Sequence, residues 1–450
     1  MRERLNHIGQ QLVMRPKRIA PLVTFRILFG ALMAFGAIRF MLQGWVEKLY
    51  GEPVFFFKYP GFQWVPVLDT PGMYAVYMAM AIGALLIMLG LWYRVGAVLF
   101  FLTFTYAELT DLTNYLNHYY LVMLLSLWLI FLPAHRRFSL DVWRKPQWKK
   151  THVPAWCIHM LMAQLAIVYF YAGVAKLQPD WLLRAMPLAV WLPEHANLPV
   201  LGRLFALPDL PFLFSWFGAF YDLTIPFWLL WRPSRPLAYA AVVVFHALTG
   251  ILFNIGLFPL IMISSTLIFF PARSHERWLR NLGYAAGEYK HVYQIPASAK
   301  KAIYTFLGLY LAVQLLLPLR HWLYPGSVLW TEEGYRFSWR VMVVEKNGHA
   351  TFYVEDPATG RRSEVDHQVY LTDFQAKQLA IQPDFMLQFA RFLRREYQRQ
   401  HNITNARITV DSYVSLNGRP SQRFIDPDID LASSKNTWRH RDWIHPLTQP

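Results

Sequence analysis

The chain has 450 residues, of which 55% are hydrophobic and only 16% are charged. Soluble domains carry about 25% charged residues, so this composition excludes an ordinary soluble protein and indicates a membrane protein. The formal net charge of +16 does not indicate nucleic-acid binding, because the basic residues cluster in short segments between apolar runs, as topology-setting loops do. The single cysteine, Cys157, excludes an intramolecular disulfide framework.

Apolar runs long enough to cross a bilayer, roughly 20 residues, dominate the first 320 positions. About nine candidate spans are predicted, at 20–41, 73–92, 96–110, 114–132, 155–175, 212–231, 236–251, 254–271 and 303–320. Several of these runs are short or closely spaced, so eight or ten spans are also compatible with the sequence.

The basic residues predict the orientation of the bundle, because lysine and arginine favour the cytoplasmic side. They concentrate in the amino-terminal tail, near Arg94, in 135–150, at Arg232 and Arg235, and in 273–301. With nine spans all of these lie on one side. Segments 42–72 and 176–211, and everything after 320, are then expected on the opposite, exported face. We therefore expect a transmembrane bundle over 1–320 and an exported domain over 321–450.

The carboxy-terminal region carries a mixed pattern of strands and helices. Three β-prone runs are predicted as strands, at 337–345, 350–356 and 406–416, with Asn347-Gly348 as a hairpin-type turn. Thr372 and Asp373 are predicted to cap a helix, and 383–400 has an apolar stripe at helical spacing. The predicted fold class is a polytopic α-helical membrane protein followed by an exported α+β domain with a small sheet.

Four polar residues lie where lipid should exclude them, and such residues usually face a bundle interior or cavity. Lys176 ends the fifth run and could equally be a snorkelling anchor. Asn117 and His118 begin the fourth run and could be a packing pair, and His246, in the seventh run, could be a structural hydrogen-bonding group. The topology brings all four to one leaflet, which predicts a shared cavity that opens toward the exported domain.

The chemistry of such a cavity is that of a buried amine. A lysine in an apolar pocket loses part of its preference for the charged form and can act as a general base toward a lipid-soluble acid such as a hydroquinone. Tyr169 lies seven residues before Lys176 on nearly the same helical face and could stack on a quinone-like ring, although aromatic belts are the more general explanation. The adjacent Asn117 and His118 face different directions, so no metal site is predicted.

Several segments resemble the vitamin K-dependent γ-glutamyl carboxylase family. They are NHYYL (117–121), AIVYFYAGVAKLQPDW (166–181), FHALTGILFNIGLF (245–258), RFSWRVMVVEK (336–346) and DSYVSLNGRPSQRFIDPDID (411–430). They occur in collinear order from the bundle to almost the end of the chain, as in a bacterial-type homologue with a horizontally transferred transmembrane domain.

The resemblance implies a reaction and its participants. A reduced vitamin K, a naphthohydroquinone, would be oxidised by O2 to its epoxide, and the strong base formed on the way would remove a γ-proton from a peptide glutamate, which then captures CO2. No metal is implied. The expected partners are an exported glutamate-containing protein or peptide, the quinone and the lipid bilayer.

The resemblance also implies residue roles. It makes Lys176 the base, Asn117 and His118 the groups that position the hydroquinone, and His246 a second polar contact beside Tyr169. The glutamate-recognition segment of the family is similar to 336–346, with Ser338, Trp339 and Met342 retained, although an ordinary β-strand also explains the alternation there.

Departures from the family pattern keep other functions open. Val344 stands where animal members carry a histidine, Arg340 replaces an acidic residue and Ala175 replaces a lysine. One alternative is therefore a quinone epoxidase without carboxylation, and another is a non-enzymatic membrane receptor or assembly protein. The short, cysteine-poor chain favours the bacterial inner membrane, with a cytoplasmic amino terminus and a periplasmic carboxy-terminal domain, over the endoplasmic reticulum membrane of a eukaryote.

Overall fold

A helix occupies each of the nine predicted spans in the computed structural model, which describes residues 13–199, 202–285, 291–435 and 439–448. Within these ranges, six helices are long and apolar enough to cross a membrane. Two others, Asn117–Phe131 and Phe258–Phe269, are apolar but shorter. The polytopic helical architecture is confirmed, and the number of spans stays a prediction.

Most of the helices precede the four-stranded sheet, which lies in the carboxy-terminal part of the chain. The α-helices are α1 (Ala20–Leu42), α2 (Thr70–Leu89), α3 (Tyr93–Thr110), α4 (Asn117–Phe131), α5 (Leu140–Arg144), α6 (Trp156–Lys176), α7 (Pro179–Arg184), α8 (Leu188–Trp191), α9 (Gly202–Phe205), α10 (Leu210–Leu230), α11 (Arg235–Leu252), α12 (Phe258–Thr266), α13 (Ala272–Arg280), α14 (Ala297–Leu316), α15 (Val328–Thr331), α16 (Asp373–Leu379) and α17 (Pro383–His401). The strands are β1 (Pro16–Arg18), β2 (His152–Pro154), β3 (Lys346–Glu355), β4 (Arg362–Glu364), β5 (Arg407–Leu416) and β6 (Gln422–Arg423).

One end of the bundle gathers the basic segments. Strands β1 and β2 pair antiparallel, with Arg18 opposite His152. The Arg18 guanidinium forms an ion pair with Glu276 at 2.8 Å, and the main-chain N–H of His152 donates to the carbonyl of His291 at 3.0 Å. Strand β1, strand β2 and residues Glu276 and His291 therefore meet at one end of the bundle, hereafter the basic end.

The other end of the bundle packs against the carboxy-terminal part of the chain. The Gln375 side-chain amide donates to the carbonyl of Phe55 at 2.8 Å, and the Trp191 indole donates to the Glu345 carboxylate at 2.6 Å. Segments 42–72 and 176–211 thus lie together with the region after 320, in the grouping that the charge pattern predicts.

The carboxy-terminal part contains a small antiparallel sheet with helices, as expected. Its strand order is β4-β3-β5-β6, and β3 pairs with β5 along its whole length, from Lys346 opposite Leu416 to Glu355 opposite Arg407. Helix α17 buries its apolar stripe against this part of the molecule, and Thr372 caps α16 in a capping box.

Two predictions in this region are wrong. Segment 337–345 is not a strand, and Asn347-Gly348 is not a turn, because β3 runs straight through both residues. Phe337, Trp339 and Met342 adopt φ values of 61°, 59° and 58°, which no strand accommodates. The packing of this segment against the helical bundle overrides its β propensity.

Candidate functional site

Lys176 is part of a buried ion pair at the last turn of α6. Its Nζ lies 2.7 Å from Oδ2 of Asp222, and it also donates to the carbonyl of Ala172 at 3.3 Å. Both charged residues are 4% exposed. The Trp181 ring lies 5.1 Å from the same Nζ. The prediction of an apolar pocket around Lys176 is therefore wrong in one respect, because the pocket contains a carboxylate counter-ion.

Close packing of α6 on α10 brings the two charges together. A Cβ at Gly173 would lie 2.7 Å from the backbone nitrogen of Leu223, the residue after Asp222. Only glycine allows this approach of the two backbones. The sequence reasoning missed Asp222, although an acidic residue inside an apolar run is the same signal that drew attention to Lys176.

Tyr169 and His246 form a second buried pair next to the first. The Tyr169 hydroxyl lies 3.0 Å from Nε2 of His246, and both residues are 2% exposed. The Tyr169 ring stands edge-on to Tyr221, the neighbour of Asp222, with ring centroids 6.0 Å apart. Within the described residues, Nδ1 of His246 is buried and has no hydrogen-bond partner. This ring nitrogen is therefore available for a further hydrogen bond.

Phe258 connects His246 to His118. Its ring centroid lies 5.6 Å from the imidazole of His246 and 5.4 Å from that of His118. The predicted residues His118, Tyr169 and His246 therefore belong to one connected cluster, in which Phe258, to which the sequence analysis assigned no role, contacts both histidines.

Asn117 contacts the segment 336–345 rather than the two histidines. Its side-chain amide donates to the carbonyl of Arg340 at 3.0 Å and accepts from the Tyr115 hydroxyl at 3.1 Å. That hydroxyl in turn accepts from the main-chain N–H of Phe337 at 2.7 Å. Asn117 and Tyr115 together fix this segment to the start of α4.

Two of the three residues expected to bind substrate are buried. Trp339 is 1% exposed and stacks on Tyr120 with ring centroids 4.9 Å apart. Ser338 is also buried, and its hydroxyl donates to the carbonyl of Tyr335. Met342 is half-buried and is the most accessible of the three. Trp339 and Ser338 therefore anchor the segment in this structure.

Two family models cover most of the chain. A model described as HTTM domain matches residues 14–273, and one described as Vitamin K-dependent gamma-carboxylase, lumenal domain matches residues 299–450. The chain belongs to the vitamin K-dependent gamma-carboxylase family. The family resemblance noted in the sequence is thus confirmed. No solved structure matches the chain.

A polar cleft of this carboxylase-family protein is lined in part by segment 336–345. It has a volume of about 260 Å³ and is lined in part by Tyr115, Arg336, Val344 and Lys346. Arg336 is paired with Asp384 at 2.6 Å, and Lys346 with Glu332 at 3.0 Å. Burial lowers the pKa of Lys346, and the Glu332 carboxylate opposes this shift. The cleft joins the loop before α4 to the carboxy-terminal part of the chain.

Histidine, cysteine and carboxylate side chains are spread out in the ranges that the structure describes. No three histidine, cysteine or carboxylate side chains are grouped there as ligands of one ion would be. The titratable groups near Lys176 occur instead as hydrogen-bonded pairs, which suit proton transfer.

Proposed function

We propose that this chain is a vitamin K-dependent γ-glutamyl carboxylase-like enzyme of the membrane. It would oxidise a naphthohydroquinone to its epoxide with O2 and carboxylate peptide glutamate with CO2. The observation that carries the proposal is the buried pair of Lys176 and Asp222 in a chain of this family. A paired amine and carboxylate inside an apolar bundle are costly to keep, which favours a functional role.

The surroundings of the pair suit a flat aromatic substrate with oxygens at both ends. The Trp181 ring lies over the amine, and the Tyr169 ring stands edge-on to that of Tyr221, the residue before Asp222. The Tyr169 hydroxyl and the unpartnered Nδ1 of His246 supply polar contacts. The reduced vitamin supplies the oxidisable ring and, after reaction with O2, a base strong enough for the γ-proton of glutamate.

Proton transfer at the pair follows from its geometry. An ammonium group has no lone pair, so Lys176 must release a proton before it can accept one from a hydroquinone hydroxyl. Asp222 lies within hydrogen-bond distance and is the acceptor in reach. In this proposal Lys176 is the base and Asp222 holds its proton, while the bundle excludes the water that would quench a strong base.

The peptide is proposed to arrive from the exported side. The pair of Lys176 and Asp222 and the contact of Asn117 with Arg340 both lie toward the end of the bundle that packs on the carboxy-terminal part. The cleft lined by Tyr115, Arg336 and Val344 is the proposed entry for the glutamate side chain. In a bacterium this face is periplasmic. The proposed boundary between the transmembrane bundle and the exported domain lies near residue 320.

Purified full-length protein in lipid nanodiscs provides the test. It is incubated with vitamin K hydroquinone, O2, labelled bicarbonate and glutamyl peptides, and the matched control is Lys176→Met. Epoxide and labelled γ-carboxyglutamate that both disappear in the variant would support the proposal. A folded wild-type protein that forms neither product would overturn it and favour a receptor or assembly role.

Epoxidation without carboxylation is a second candidate, and one observation favours it. Val344, in place of the histidine of animal members, lines the polar cleft and offers no hydrogen bond to a carboxylate. This candidate expects epoxide without label from the wild-type protein. Gain of label in Val344→His, with unchanged epoxide, would assign the loss of carboxylation to this position.

A further inference from the structure

A second cavity lies at the basic end of the bundle, at the opposite end from the ion pair. Its volume is about 410 Å³, and its lining consists of Arg136, Lys150, His291, Val292, Tyr293 and Gln294. An arginine, a lysine and a histidine thus converge on one space. The proposed carboxylation chemistry uses none of them.

Main-chain hydrogen bonds fix the walls of this cavity. The N–H of Lys150 donates to the carbonyl of Arg136 at 2.7 Å, which closes the loop between them. The N–H of Thr151 donates to the carbonyl of His291 at 2.9 Å, and that of Tyr293 donates to the carbonyl of His152 at 2.8 Å. The basic side chains therefore stand on a constrained frame.

Aromatic rings hold the Arg136 guanidinium in place. Its Cζ lies 4.8 Å from the ring centre of Trp148 and 5.7 Å from that of Tyr293. Cation–π contacts orient a guanidinium but leave its N–H groups free to donate. Nε of Arg136 is buried and finds no hydrogen-bond partner among the residues that the structure describes. That nitrogen is closed to solvent, but Arg136 as a whole is only half-buried and lines the cavity, where its positive charge favours an anion.

The position of the cavity relative to the membrane indicates which kind of anion it binds. The apolar helix α4 ends at Phe131, and α6, which is long enough to cross a membrane, begins at Trp156, so residues 136–150 lie just beyond the apolar ends of both helices. Lipid headgroups occupy this level, and basic pockets there bind phosphate-bearing headgroups. We propose that this cavity binds the phosphate of an anionic phospholipid. The proposal does not depend on the proposed enzymatic function.

Scattered basic residues at a membrane surface would attract anionic lipid without any site, so the test needs a matched control. Lys149 is exposed, next to Lys150 in sequence and outside the cavity lining. Lys149→Gln and Lys150→Gln therefore remove the same charge from the same loop. Arg136→Gln removes the positive charge and the planar guanidinium group. Arg136→Lys keeps the positive charge but loses the paired N–H donors of the guanidinium.

Binding is measured on the full-length protein by titration of phosphatidylglycerol into phosphatidylcholine nanodiscs, followed by native mass spectrometry and thermal unfolding. Loss of a charge-assisted hydrogen bond should weaken phosphatidylglycerol binding about tenfold in Arg136→Gln and Lys150→Gln. Lys149→Gln should bind like the wild type, and Arg136→Lys should be intermediate.

Two results would overturn the proposal. Equal weakening by Lys149→Gln and Lys150→Gln would mean diffuse surface attraction rather than a site. A full thermal shift from inorganic phosphate alone, in pure phosphatidylcholine, would assign the cavity to a soluble phosphate instead of a lipid. If Arg136→Gln does not fold, the comparison of Lys150→Gln with Lys149→Gln decides the question.

Discussion

Lys176 and Asp222 form an ion pair 2.7 Å long across the interface of α6 and α10, with side chains only 5% and 6% exposed. Removal of one partner from such a pair leaves an uncompensated buried charge, whereas replacement of both by apolar side chains of similar size is often neutral. Stability and catalysis can therefore be separated at this site by single and double substitutions.

Asp222→Asn is expected to lower the free energy of unfolding by about 3–5 kcal/mol, because the Lys176 ammonium loses its counter-ion. The double variant Lys176→Met/Asp222→Leu should recover most of this loss. Epoxidation should fall by at least about 100-fold in both, since the proton-transfer pair is gone. Unfolding and epoxide formation are measured on the same preparations. Full epoxidation in a folded Asp222→Asn variant would contradict the assigned role of the carboxylate.

Gly173→Ala tests the close approach of the two helices. The new Cβ would lie 2.7 Å from the backbone nitrogen of Leu223, so α10 must move and the ion pair must lengthen. We expect a loss of about 1–3 kcal/mol in unfolding free energy and a marked fall in epoxidation. Gly308→Ala is the control, because nothing lies within 4 Å of a Cβ built there. Equal behaviour of the two variants would contradict the prediction.

The helical bundle could be predicted from sequence because the length and apolar character of a run determine whether it can cross a bilayer. Strand β5 and helix α17 were predictable for a similar reason, since each shows its own periodicity. These elements needed no knowledge of what packs on them.

Segment 337–345 could not be predicted in this way. Its β-prone residues suggest a strand, but Trp339 packs on Tyr120 of α4, more than 200 positions earlier, and the backbone turns to allow this. Gly348 suggested a turn, but the reason for a glycine here is close packing. A Cβ at this position would lie 2.7 Å from the carbonyl oxygen of Ala380. That glycine provides space for a neighbouring helix end rather than a turn.

Asn117→Ala tests whether the start of α4 positions segment 336–345. Loss of its hydrogen bond to the Arg340 carbonyl should raise KM for a glutamyl peptide about tenfold, since a hydrogen bond that holds a loop in place is lost. Peptide-independent epoxidation should change much less. Tyr115→Phe removes the other half of this link and should act in the same direction. An equal loss of epoxidation without peptide would instead place Asn117 at the hydroquinone.

Hydrogen bonds between α7 and the residues just after β5, hereafter the clasp, predict a pH dependence. Arg419 donates to both oxygens of Asp180, at 2.6 and 2.7 Å, and the Asn417 amide adds a third hydrogen bond at 3.0 Å. Burial raises the pKa of Asp180, but the hydrogen bonds from Arg419 and Asn417 outweigh burial, so the pKa lies below its ordinary value of 3.8. A carboxyl group with a depressed pKa stabilises the fold above its unfolded value, and this stabilisation is lost as the pH falls through the folded value.

Asp180→Asn should therefore lower the free energy of unfolding by about 2 kcal/mol at neutral pH, where the wild-type clasp is fully charged. The difference from the wild type should shrink as the pH falls below about 4, because protonation then removes the same charge from the wild-type protein. Arg184→Gln is the control: Arg184 contacts Asp180 at 3.4 Å but its side chain is 36% exposed, so its loss should cost less than about 1 kcal/mol. Thermal unfolding in nanodiscs between pH 7 and pH 3 provides the measurement. A difference between Asp180→Asn and the wild type that stayed constant over this range would show that the charge of Asp180 does not hold the clasp.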